Sequence, residues 1–124
     1  MNYSRVENKM IDELATARRS YYFLKSYPSL FKLANLEGYS GPFKLKAIEV
    51  INLIEKYRGS LNKSKREIFD NLFIRKQNET KRLPQLFKDL AIDRVGYEHI
   101  KEEILLDFAR SYRGGVLYSR DANN

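Results

Sequence analysis

Leu90-Ala91-Ile92-Asp93-Arg94-Val95-Gly96-Tyr97 is the stretch on which the fold turns. Apolar Leu90 and Ile92 close a short amphipathic segment that opens at Pro84. Asp93 can then cap a new helix by accepting a hydrogen bond from the orphan N–H groups of its first turn. The pattern predicts helices over 84–91 and 94–113 joined by a tight turn, a helix-turn-helix whose second member can offer its N-terminal half to a DNA major groove. Pro84 suits the first turn of the leading helix, where its missing N–H would go unpaired anyway. Gly114 supplies a left-handed terminator for the second. Two positions depart from the usual motif. A glycine normally occupies the turn where Ala91 stands, so either Ala91 adopts a less favourable geometry or the turn differs. Phe87 replaces a small residue and is expected to push the two helices apart or rotate them.

Upstream, helical periodicity continues. Ser4 and Glu7 have capping-box spacing, and Val6, Met10, Ile11, Leu14, Ala17, Tyr21 and Leu24 draw one apolar stripe for a first helix that Pro28 stops near Tyr27. Gly38, Gly41 and Pro42 break the chain, so 29–42 reads as a linker with room for a helical turn at Leu30 to Leu36. A second helix is expected from Phe43 to Tyr57, burying Ala47, Ile48, Ile51 and Ile54 and ending before Gly59. Ser64 and Glu67 form a second capping-box pair, opening a third helix through Lys76 with Ile68, Phe69, Leu72 and Phe73 buried. Gln77 to Arg82 is a polar connection. Alternating strand patterns and internal repeats are missing. The fold class is therefore all-α, about five helices. An N-terminal helix and linker (1–42) would extend a helical domain (43–117) that carries the helix-turn-helix, and 118–124 would form a tail.

Composition agrees with a small helical domain. The 124 residues are 43 % hydrophobic, 13 % aromatic and 31 % charged, enough apolar material for one core. No apolar run is long enough for a membrane span, and residues 1–30 carry Glu7, Asp12 and Glu13 and no apolar core of a leader. With no cysteine there are neither disulfides nor thiolate metal ligands. A cytoplasmic protein is the simplest fit. The formal charge of +7 is uneven. Residues 41–93 hold twelve basic and seven acidic side chains, whereas 94–124 hold five of each. A basic middle segment suits phosphate contact and electrostatic steering toward nucleic acid.

On the last helix, Tyr97, Ile100, Ile104, Leu105, Phe108 and Tyr112 recur at spacings of three and four and should face the core. Arg94, Val95, Glu98, His99, Lys101 and Glu102 are left outside. Arg94 can pair bidentately with guanine and Val95 can meet a thymine methyl, while His99 and Lys101 can reach phosphates or base edges. Lys81, Arg82 and Lys88 would clamp the sugar-phosphate backbone. Glu98 and Glu102 oppose a phosphate-lined groove unless they accept from cytosine amino groups. On the first helix Arg18, Arg19, Tyr21 and Tyr22 have the chemistry of a protein-contact surface, with RNA polymerase or a second copy of the chain as candidate partners. Stacking on single strands and plain core packing are the other readings of these aromatics.

The stretch from Arg94 to Leu117 resembles the C-terminal end of the ArpU family, small regulators of phages and prophages of Gram-positive bacteria. Leu105-Leu106-Asp107-Phe108-Ala109-Arg110-Ser111-Tyr112-Arg113-Gly114-Gly115-Val116-Leu117 carries the likeness, above all the Phe-Ala pair, the tyrosine and the Arg-Gly-Gly that follows. Ala17-Arg18-Arg19-Ser20-Tyr21-Tyr22 echoes the family's basic, aromatic N-terminal helix. The resemblance implies a helix-turn-helix similar to region 4 of bacterial sigma factors. It also implies a role in transcription of phage late genes, and Arg94, Tyr97, Lys101 and the tract from Phe108 to Gly115 as functional positions.

Catalytic and metal chemistry find little support. His99, Glu103 and Asp107 fall at i, i+4 and i+8, but one histidine with two carboxylates reads better as a charged stripe than as a metal site. Phosphate-cradling glycine loops and Ser/His/Asp sets do not occur, so neither enzyme nor cofactor is expected. The competing class is a small phage effector, for example an anti-CRISPR protein, that grips a protein complex through Glu98, Glu102 and Glu103 as mimics of phosphate.

Overall fold

A computed structural model describes residues 12–118. Helices are the regular structure of these residues, with no strand among them. The order is α1 (Glu13–Lys25), α2 (Tyr27–Ala34), α3 (Pro42–Ser60), α4 (Lys63–Phe69) running into a π turn (Asp70–Ile74), a 3-10 turn (Gln77–Glu79), α5 (Leu83–Leu90), α6 (Arg94–Ser111) and a closing 3-10 turn (Tyr112–Gly114).

α1 begins where Asp12 accepts from the Ala15 N–H at 3.1 Å, while the expected Ser4–Glu7 start, with Val6, Met10 and Ile11, lies outside the described residues. Pro28 does not end a helix followed by a linker. It sits in the first turn of α2, where a missing N–H costs nothing, so much of 29–42 is helix. α3 likewise runs through Gly59 to Ser60, with Arg66 donating to the carbonyls of Arg58, Gly59 and Leu61 at the helix end. α4 is capped by Asn62, which accepts from the Lys65 N–H at 2.9 Å, and not by Ser64. Glu67 is drawn instead to Arg75 and Lys81. Two charge-assisted bonds outweigh a local cap at an exposed helix start.

One core takes residues from every α-helix: Ala17 and Leu24 of α1, Tyr27 of α2, Ile51, Ile54 and Tyr57 of α3, Ile68 and Phe69 of α4, Leu86 of α5, and Tyr97, Ile104, Leu105 and Phe108 of α6. The N-terminal helix is therefore not an extension. It packs along α6, and α2 packs on α3. The buried side of α1 is Thr16, Ala17, Ser20 and Leu24. It is rotated away from the expected stripe, leaving Leu14 66 % exposed. Small residues there let the α1 backbone sit close to α6. The Ser20 hydroxyl, fully buried and without a hydrogen-bond partner, is the penalty of that choice.

The centre of the core is aromatic. Phe108 lies 5.1 Å from Tyr57, 5.3 Å from Tyr112 and 6.0 Å from Phe23, ring centre to ring centre. Tyr57 also donates its hydroxyl to the Ile104 carbonyl at 3.0 Å and to Asp107 at 3.2 Å. Burial and the adjacent carboxylate push that phenol far above its ordinary range, so it stays a neutral donor.

α5 ends as the sequence suggests, at a strained alanine. Ala91 is left-handed (φ 56°, ψ 46°). The Ile92 N–H reaches back to the Phe87 carbonyl at 3.0 Å and the Ala91 N–H to Lys88 at 3.3 Å, the paired bonds of a Schellman closure. An L side chain in that conformation costs about 1–2 kcal/mol. Ala91→Gly should therefore stabilise the protein by about 1 kcal/mol, part of the relief being offset by the freer unfolded chain. A rise in melting temperature of roughly 3–5 °C is expected by calorimetry; an unchanged or lower value would show that the turn is not strained.

Candidate nucleic-acid interface

Asp93 caps α6 as its position implies, accepting from the Gly96 N–H at 2.8 Å. Gly96 suits this cap, because a Cβ there would stand 3.1 Å from the accepting oxygen. Tyr97, Ile104, Leu105, Phe108 and Tyr112 are buried and Ile100 half-buried against the core. The orientation of α6 therefore follows its apolar spacing. Phe87, expected to part or rotate the two helices, lies between them. Its ring packs 5.2 Å from that of Tyr97 and ties α5 to the first turn of α6.

Of the outward residues, Arg94, Val95, Glu98, His99 and Glu102 are exposed, Val95 by 70 %. Arg94 faces Glu98 one turn on at 4.0 Å, with both side chains largely in water. Such a contact is worth little and leaves the guanidinium available. Lys101 is placed differently. It leans toward α1 with its ammonium 5.2 Å from the centre of the Tyr21 ring, beside the exposed stripe and not within it.

The three cations expected to clamp a backbone separate in the same way. Arg82 and Lys88 are exposed, at the start and in the last turn of α5. Lys81 is committed elsewhere: its ammonium lies 2.7 Å from Asp89 and 3.0 Å from Glu67. Those bonds, Asp89 first, hold its pKa above the ordinary lysine value. Arg75, then Lys81, hold the Glu67 carboxyl below the ordinary glutamate value, and Lys81 with Gln85 does the same for Asp89. Lys81 thus anchors the start of α5 to α4 rather than standing free. Its backbone is pinned as well. Buried Asn71 in the π turn accepts from the Lys81 N–H at 2.7 Å and donates to the Lys81 carbonyl at 3.1 Å. Nothing in the spacing of Asn71 announced this role.

Much of the basic middle segment is spent inside the fold. Arg58 grips Asp70 with two bonds of 2.6 and 2.7 Å, and Arg75 holds Glu67 at 2.7 Å. On α1 the four contact candidates also divide. Tyr22 is 67 % exposed and Arg18 and Arg19 are exposed, while Tyr21 is half-buried with its ring 5.7 Å from Phe73. Arg19 donates to the Tyr118 carbonyl at 3.3 Å.

Among the described residues no group of three or more His, Cys, Asp or Glu side chains could hold a metal ion. Glu103 faces Lys65 at 3.7 Å and Asp107 is taken by Tyr57 and Arg110. No helix among them is long and apolar enough to cross a membrane. Comparisons with protein-family models, curated proteins and solved structures return no match to this chain.

Proposed function

We propose that this protein binds duplex DNA through α5 and α6 and acts as a transcriptional regulator of the phage type that the resemblance of its C-terminal third implies. The observation that carries the reading is the first turn of α6. Arg94 and Val95 stand outward there on a helix start held by the Ala91 turn, the Asp93 cap and the Phe87–Tyr97 contact. Rigid presentation of a short exposed stripe is what base reading requires. Arg94 is the candidate guanine contact, Val95 the candidate methyl contact and His99 a flanking one, with Arg82 and Lys88 on the backbone. Contact with RNA polymerase belongs to the same proposal, as does a cytoplasmic site of action.

Fluorescence anisotropy with a fluorescent duplex across a salt series tests it. The parent should bind with a steep loss of affinity as salt rises. Arg82→Ala with Lys88→Ala should weaken binding to every sequence and flatten the log–log slope by about 2. Arg94→Ala should relax discrimination at one base pair of a selected site, worth about 1–3 kcal/mol. No binding to any duplex at low salt would overturn the proposal. It would favour the second reading, an effector that docks on a protein through Glu98, Glu102 and Glu103, all exposed on α6.

A further inference from the structure

Seven cations of the described fold face a carboxylate partner: Arg58, Lys65, Arg75, Lys81, Arg94, Arg110 and Arg113. Arg18, Lys25 and Lys101, where α1 lies along α6, face none among the described residues, as is true of several cations elsewhere on the surface such as Arg82 and Lys88. The ammonium groups of Lys25 and Lys101 stand 5.4 and 5.2 Å from the centre of the same ring, Tyr21. A groove of about 210 Å³ beside it is lined by Arg18, Tyr21, Tyr22 and Lys101, with Leu14 and Leu105 at its apolar end. Both ammonium groups meet one half-buried ring, and among the described residues no carboxylate lies within ion-pair distance of either. An incoming anion would gain from both at once.

The place of this groove in the fold matters as much as its charge. α1 and α6 run antiparallel: Tyr21 lies by Lys101, whereas Leu14 and Ala17 share the groove with Leu105. Lys101 is seven residues beyond Arg94, about 10 Å along the helix at 1.5 Å per residue. Lys101 therefore lies roughly two helical turns past the residues proposed to read bases. Arg18 and Lys25, separated by the same number of residues on α1, extend the track by a similar length.

We infer that the α1–α6 groove is a phosphate-backbone track for the same duplex that α6 engages, with Arg18, Lys25 and Lys101 as its cations. This rests on the proposed function. α5 would hold the backbone through Arg82 and Lys88, and α1 through Arg18 and Lys25. Tyr21 holds the Lys101 ammonium beside the groove, while Lys25, on the same ring, also donates to the Leu72 carbonyl at 3.1 Å and keeps its charge at the edge of the track. Tyr22, exposed at the rim, packs against sugar. The arrangement supplies positive charge that the balanced sequence of α6 lacks, and it offsets the repulsion of Glu98 and Glu102.

The test uses the full chain, a 25-base-pair duplex of mixed sequence and anisotropy at several salt concentrations. The Arg18→Ala/Lys25→Ala variant is compared with the parent and with Arg94→Ala. Both substituted side chains are exposed, and unchanged circular dichroism and melting temperature confirm folding. The expected result is a log–log salt slope shallower by about 2 and affinity lower by one to two orders of magnitude. The loss should be equal on every sequence and should not change base preference. A parent that binds duplex and a double variant with the same slope and affinity would overturn the inference while leaving the α6 reading in place; the groove would then suit an acidic protein ligand instead. A parent that binds no duplex removes both.

Discussion

Phe108→Ala is expected to destabilise the protein by about 4 kcal/mol, a loss typical of truncating a buried aromatic and of leaving its cavity behind. Phe108 is 1 % exposed and touches rings from three elements: Phe23 of α1, Tyr57 of α3 and Tyr112 just beyond α6. None of these helices could close over the void without moving the others. Set against a total stability of roughly 5–15 kcal/mol for a domain of this kind, the loss would leave a marginal fold or none. Urea unfolding followed by tyrosine fluorescence and far-ultraviolet dichroism should show a midpoint lower by roughly 2 M, or no folded baseline at all. Phe108→Leu, which keeps most of the volume, should cost about 1–2 kcal/mol. It serves as the folded control if the alanine variant is lost. A midpoint within experimental error of the parent for Phe108→Ala would mean that α1 does not pack on α6 as described. The groove between them would then lose its basis as well.

What the sequence disclosed follows a physical pattern. Local signals were sufficient where one side chain serves the backbone beside it: the Asp93 cap, the Pro84 start of α5 and the strained turn at Ala91 all lie where spacing places them. The buried side of α6 was equally legible, because six apolar residues at three- and four-residue intervals leave a single orientation. Misreadings arose where one residue type has two uses. Proline breaks a helix from within but opens one at its first turn, so Pro28 reads alike in both settings. Gly59 invites a stop, yet α3 continues to Ser60. Glu67 has the spacing of a capping partner for Ser64, but Arg75 and Lys81 are distant in sequence and hold it more strongly. The α1 stripe was rotated for a related reason. Leu14 offers more apolar area than Ser20, yet the side of α1 that is buried is the one carrying Thr16, Ala17, Ser20 and Leu24.

Charge was the least legible property of the candidate site. The count of basic residues identified the middle segment as cationic, but a count does not reveal which cations are already occupied. Arg58, Arg75 and Lys81 are structural. The cations left without carboxylates on α1 and at Lys101 come from segments whose net charge is modest or zero. A phosphate-binding surface is defined by unpaired charge in space. Only long-range pairing decides that, and pairing is a product of the fold.

Asn71→Ala carries the other large expectation, about 3 kcal/mol, and it tests how the helix pair is mounted. The π turn adds a residue to the end of α4, with the Arg75 N–H reaching the Asp70 carbonyl five residues back at 2.8 Å. That extra residue carries Asn71 inward. There its side chain forms three bonds: from the Lys81 N–H, to the Lys81 carbonyl, and from Arg75 at 3.0 Å. Truncation strands the Lys81 amide and carbonyl in a half-buried site, each costing about 1–3 kcal/mol when left unsatisfied. Because the lost bonds join α5 to the rest of the chain and to nothing else, the effect should be uneven. Amide hydrogen exchange at Leu86 and Phe87 should accelerate by one to two orders of magnitude more than at Ile54 or Phe69, which exchange through global unfolding. Duplex binding should weaken although every proposed contact residue is intact, since a loosely mounted α5 no longer fixes the first turn of α6. Asn71→Asp keeps the acceptor for the Lys81 N–H and gains charge toward Arg75, so it should lose less than the alanine variant. Equal exchange rates at Leu86 and Ile54 in the alanine variant would show that α5 is held by packing of Leu86 alone, and that the polar clamp contributes nothing to the presentation of Arg94.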